Sequence, residues 1–197
     1  MYHTEGIVIA VGPIGEGDVI LSVFTRDFGK LTCRAQGVRK AGSRLRSILQ
    51  TGALIDFHFL PLRSGIFRLT SPSLVALYPR GIRRASTLPV FLESIAVFNR
   101  AVLDGEKDPH LWAFMRGWID ALSDADPTFE EDRARLWFLG NLMTVLGHVS
   151  EENARYFTMP LPAFSEKNTP DAVRSTVSQF FHAYIPYGGT AGKKTIQ

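Results

Sequence analysis

The sequence predicts an α+β chain in two parts, a small antiparallel β-barrel followed by an all-helical region. Three observations carry that prediction. Five short strand-like runs, separated by turn signals, fill the first ~80 residues. Beyond Ser86 the apolar period lengthens from two to about 3.6. The charge also divides: Met1–Ala85 carries 12 Lys/Arg against 5 Asp/Glu, net +7, whereas Ser86–Gln197 carries 10 against 14, net −4.

The strands come first. Thr4–Gly12, "TEGIVIAVG", is rich in Val and Ile, and the turn-like "GPIGEGD" follows it. Val19–Arg26 reads as a second strand, and Asp27–Gly29 turns tightly into a third. The third alternates: Leu31, Cys33 and Ala35 point one way, and Lys30, Thr32, Arg34 and Gln36 the other. Ile55, Phe57 and Phe59, alternating with Asp56 and His58, predict a fourth strand. Phe67, Leu69 and Ser71 against Arg68 and Thr70 predict a fifth. Five such strands point to an OB-fold barrel.

Helices follow. Leu88, Phe91, Leu92, Ile95, Val102 and Leu103 mark a first, capped by Ser86 or Thr87. Leu111, Met115, Trp118, Ile119 and Leu122 mark a second. A third is signalled by Asp126 as cap, Pro127 at the first helical position, and Glu130, Glu131 and Asp132 toward the positive end of the dipole. It runs to about Leu146 and stops at Gly147. Thr169, Pro170 and Asp171 open a fourth, with Val173, Val177, Phe180, Phe181 and Tyr184 on one side and Pro186 closing it. The expected division is residues 1–80 as barrel, 81–186 as helical domain and 187–197 as a mobile tail.

Composition narrows the function classes. The chain has 197 residues and is 45% hydrophobic, 11% aromatic and 21% charged, values of a folded protein with a real core. No apolar run approaches the ~18 residues of a membrane span, and the start "MYHTEGIVIA" lacks the pattern of a signal peptide. A cytoplasmic protein without membrane partners is therefore expected. Cys33 is the only cysteine, so no disulfide forms within the chain.

Catalytic signatures are missing from the sequence. His3, His58, His110, His148 and His182 are scattered, with no metal-binding spacing. There is no Gly-x-Ser-x-Gly elbow, and "GPIGEGD" lacks the Lys-Ser/Thr that completes a phosphate-binding loop. Glu130 and Glu131 are explained by a helix start. Alternation puts Cys33 on the apolar face, as a small buried hydrophobe. Trp112, Trp118 and Trp137 lie at core spacing. The expectation is a protein that is not an enzyme and needs no cofactor.

What stands out is cationic. From Lys30 to Arg46 the chain holds Lys30, Arg34, Arg39, Lys40, Arg44 and Arg46, with no acidic residue among them. Lys30 and Arg34 share the polar face of a strand, and the other four follow on a loop softened by Gly37, Ala41 and Gly42. Ser43 adds a hydroxyl, and backbone N–H groups near Gly37 and Gly42 add donors. Such groups suit phosphates rather than base edges, so sequence-independent, salt-sensitive nucleic-acid binding is expected. Five neutralised phosphates predict a log–log salt slope of roughly −3.5 on single strands.

Four stretches then resemble a known family. Thr4–Ile9 "TEGIVI", Gly15–Ile20 "GEGDVI", Val23–Leu31 "VFTRDFGKL" and Ala35–Gln50 "AQGVRKAGSRL…LQ" resemble the opening of RecO, the bacterial recombination mediator and DNA repair protein. Past Thr51 the likeness rests on element layout and on "LYP" at Leu77–Pro79. The resemblance implies an amino-terminal OB-fold, a helical domain, binding to single- and double-stranded DNA, and annealing of complementary strands. It also implies RecR and the single-stranded-DNA-binding protein SSB as partners, and through them RecA loading. The positions it carries over are Lys30, Arg34, Arg39, Lys40, Ser43, Arg44 and Arg46. Many members hold a four-cysteine zinc module in the helical domain; one cysteine cannot build it, and "SEENARYFTMPLPAFSEKN" stands in that place. The competing reading is a non-catalytic adaptor whose basic barrel binds acidic protein tails or RNA.

Overall fold

The computed structural model describes residues 1–62, 65–78, 87–105, 107–123 and 130–184. Its first part is a closed barrel of five strands: β1 (Tyr2–Ile14), β2 (Asp18–Thr25), β3 (Gly29–Ala35), β4 (Ala53–Pro61) and β5 (Phe67–Leu77). The strands run β1-β2-β3-β5-β4 around the barrel, with β1 pairing β4 to close it. All pairings are antiparallel except β3 with β5, which is parallel and short: Cys33 opposite Phe67 and Arg34 opposite Arg68. This is the OB-fold order, as the strand count predicted.

Alternation decides what fills the barrel. Leu21 and Val23 of β2, Leu31, Cys33 and Ala35 of β3, Ile55, Phe57 and Phe59 of β4, and Leu69 of β5 form one buried cluster. Cys33 is fully enclosed there, and burial pushes its thiol up to about 12. The run "GIVIA" lacks polar alternation because β1 is covered on both sides. Val8 points into the barrel, while Ile7 and Ile9 point outward into a second cluster. A register shift between Val8 and Ala10 bends the strand around the closing sheet.

That second cluster is the helical core, built on α2 (Thr87–Ala101), α3 (Pro109–Ser123), α4 (Glu131–Val145) and α6 (Asp171–Tyr184). Two short helices, α1 (Leu45–Ile48) and α5 (Glu151–Ala154), were not read from the sequence, because one turn shows no periodicity. The segment in the place of the zinc module folds as α5 and two 3₁₀ turns, and drops Phe157, Leu161 and Phe164 into the core. The Asp126–Pro127 start signal, the expected boundary around residues 79–86 and the tail lie outside the described residues; α4 itself begins at Glu131.

Barrel and helices share their apolar surface. Phe24 of β2 meets Phe98 of α2 edge-on at 4.8 Å and tilts against Trp112 of α3 at 6.0 Å. Much of the outward β1–β2 surface is thus spent on packing rather than left to a ligand.

Candidate nucleic-acid interface

The long β3–β4 connection places the cationic loop at one end of the barrel. Val38 and Leu49 are buried, and Leu45 and Ile48 pack against the barrel interior. Anchored by these four apolar residues, the polar residues between them face water: Arg39, Lys40, Arg44 and Arg46 are all exposed, and Ser43 is half-buried.

The loop is held at its root by Asp18, the first residue of β2. One carboxylate oxygen accepts the Gly37 N–H at 2.9 Å, and the other accepts Arg34 Nε at 2.9 Å and Nη2 at 2.7 Å. Gly37 has φ +70°, the left-handed turn that lets its N–H aim back at Asp18. The Gly37 amide, and then the Arg34 guanidinium, hold the Asp18 carboxyl below the usual carboxylate range; Lys40 adds to this from a distance.

The β1–β2 turn supplies a second clamp. The Arg39 N–H donates to the Gly17 carbonyl at 2.8 Å, and its guanidinium to the Gly15 carbonyl at 3.1 Å. The Lys40 stem lies over Gly17, where a side chain would meet its Cγ at 3.4 Å. Ser43 N–H donates to the Lys40 carbonyl, and Arg46 Nη2 to the Arg39 carbonyl at 3.2 Å. The loop is a braced turn, with its charges presented from a defined backbone.

The seven predicted residues therefore divide. Lys30 is 12% exposed and turned away from the loop: its ammonium donates to the carbonyls of Asn99 at 2.8 Å and Val102 at 2.5 Å and pairs with Asp104 at 3.0 Å. It caps the carboxy end of α2, where backbone carbonyls concentrate negative potential. Arg34 is half-exposed and bound to Asp18. Among the described residues, Arg39, Lys40, Arg44 and Arg46 have no carboxylate within ion-pair distance. Four like charges projecting from one loop concentrate positive potential at this end of the barrel.

A further cation was missed by the sequence reading. Arg68 is exposed and stands opposite Arg34 in the β3–β5 pairing. Alternation placed it on an outward face, but only barrel closure brings residue 68 beside residue 34. Elsewhere on the barrel, Asp56 lies 2.7 Å from the His3 ring nitrogen, and Glu5 and Asp27 pair with Arg26. Among the described residues, no set of three or more His, Cys, Asp or Glu is arranged to hold a metal, and no helix is long and apolar enough to cross a membrane.

Comparison with known proteins meets this geometry at the barrel. Residues 1–78, which are the five strands and the cationic loop, match the family model Recombination protein O N terminal. The barrel is similar to the amino-terminal part of RecO. Over a longer span that includes the barrel, the chain is 29% identical over 169 residues to the DNA repair protein RecO of Geobacter metallireducens, covering 85% of this chain and 67% of that one. It is 26% identical over 178 residues to RecO of Prosthecochloris aestuarii, covering 87% and 65%. To RecO of Rubrobacter xylanophilus it is 39% identical over 129 residues, covering 66% and 51%. The chain thus spans between half and two thirds of these three RecO proteins, and the likeness continues past the barrel into the helices.

Proposed function

We propose that this chain is a DNA repair and recombination mediator, whose RecO-like barrel binds the backbone of single- and double-stranded DNA without reading sequence. The observation that carries the reading is the set of four exposed loop cations, Arg39, Lys40, Arg44 and Arg46, unpaired among the described residues and braced by Asp18 and the β1–β2 turn. Arg34 and Arg68 extend the positive surface along the barrel. Lys30 is occupied at the α2 terminus and stands outside the site. Ser43 remains as a donor at the turn.

In this mechanism the loop gathers phosphates by releasing their counterions. Four neutralised phosphates give a log–log salt slope of roughly −2.8 on single strands. Two complementary strands, screened on one cationic surface, approach closely enough to pair, and annealing follows from charge alone. Work with RecR and SSB toward RecA loading is the family's role and completes the proposal. No bond is made or broken, so the proposed protein is not an enzyme.

The test is a salt titration of binding to a labelled oligonucleotide, run beside an annealing assay. The wild-type slope is expected near the value above. Affinity for an acidic peptide exceeding that for the oligonucleotide at equal salt would replace this reading with the adaptor one.

A further inference from the structure

The helices leave part of the outward barrel surface bare, above Phe24. Val19 and Leu21 point into the barrel, so Ile20 between them points out. Among the described residues Ile20 packs into neither apolar core, and it is half-buried. In register it stands opposite Gly12 of β1 and Arg34 of β3, and Arg34 stands opposite Arg68 of β5. One row thus crosses four strands, apolar at one end and cationic at the other. In the next row exposed Ile14 faces Asp18, whose carboxylate is already committed to Arg34 and the Gly37 N–H. The turn that follows Ile14 is the one that clamps Arg39, so this surface runs on into the cationic loop.

Gly12 is the odd member of the row. It does not have a positive φ, and among the described residues a side chain there would meet only Ile20 Cγ2, at 3.4 Å. Neither backbone conformation nor internal packing calls for glycine, which weakens a strand; a gap of this kind suits a ligand lying close to the sheet. We infer that the row Gly12–Ile20–Arg34–Arg68 is a floor for the unpaired bases and sugars of single-stranded DNA. The inference rests on the phosphate-binding reading of the loop and adds to it a preference for single strands over duplex. A single strand lays its bases and deoxyriboses on Ile20 and the gap at Gly12 while its phosphates meet Arg34 and Arg68. A duplex keeps its base faces stacked inside and offers phosphates and groove edges, so the cations alone hold it. Apolar contact of this kind reads no sequence.

The probes are a labelled oligothymidylate and a labelled duplex with the same number of phosphates, each titrated across a range of salt by fluorescence anisotropy. Gly12→Val fills the gap, and Ile20→Thr removes apolar surface; both residues suit a strand, and unfolding midpoints check the fold. Each variant should weaken the oligothymidylate by at least about fivefold and leave the duplex within about twofold. Because no charge is changed, the log–log line for the single strand should drop without changing slope. Equal losses on both probes, a changed slope, or folded variants indifferent on both probes overturn the inference. Variants that weaken an acidic peptide but neither nucleic acid overturn it in favour of a protein occupant. Wild-type protein that binds neither probe ends the phosphate-binding reading itself, whereas normal wild-type slopes with indifferent variants end only this one.

Discussion

Lys30 and the loop from Arg39 to Arg46 are neighbours in sequence and opposites in the fold. Both look like one run of positive charge. In the folded barrel Lys30 is drawn to the end of α2, where three oxygens surround its ammonium, while the loop cations face solvent from a backbone tied down by other residues. Arg34 lies between the two cases, half-exposed but held by Asp18. Net charge therefore predicts a basic barrel, but the position of helix ends and of one aspartate decides which cations remain available. The same contrast explains why the helical region can sit against β2 without closing the site: it covers Phe24 and Lys30 and leaves the loop end of the barrel open.

The contrast is broken most directly by reversing the loop. Arg39, Lys40, Arg44 and Arg46 changed together to Glu should abolish oligonucleotide binding and annealing, while circular dichroism and the unfolding midpoint stay near wild type. A folded variant that still anneals normally would end the mechanism. The reciprocal change is Lys30→Met. It should cost about 2 kcal/mol of stability, as expected for hydrogen bonds to a charged donor, with the salt slope unchanged. Denaturant unfolding and the titration read these separately; a slope reduced with no stability loss would return Lys30 to the interface.

Asp18→Asn sharpens the middle case. Losing the carboxylate frees Arg34 for phosphate, and the slope on single strands should steepen by roughly 0.7, one contact more. The same carboxyl makes stability pH-dependent. Its folded pKa is depressed, so its contribution is fully present above the ordinary carboxylate pKa and disappears as pH falls through the lower folded value. The wild-type protein should lose this increment on acidification and the Asn variant should not, as measured by unfolding midpoints across acid pH. The smallest effect concerns the inward side of β3. Cys33, with its thiol raised to about 12 and no exposed surface, should be inert to a thiol reagent in the native state and react on unfolding.

Much of this could be read in advance from particular residues. The inward set Leu31, Cys33 and Ala35 and the outward set Lys30, Thr32 and Arg34 follow from the two-residue period of a strand, which any local stretch displays. The stripe of α3 was legible from its own period, whereas in α2 only Phe91, Ile95 and, just past its end, Val102 of the expected stripe are buried, and Leu88, Leu92 and Leu103 are exposed. The loop cations were legible as charge, and their exposure follows from Val38 and Leu49 taking the buried places beside them. What escaped was pairing at a distance. Lys30 finds its carbonyls about seventy residues further on, and Arg68 comes beside Arg34 only when the barrel closes.

By itself, then, the sequence determined which residues alternate, which are apolar, where turns break the strands and where positive charge accumulates, because those are properties of neighbours along a chain. Tertiary structure alone decided which cations are spent inside the molecule and which aspartate braces the loop. The reason is physical: hydrogen bonds and ion pairs act over a few ångströms of space, and closing a barrel sets those ångströms without regard to distance along the chain.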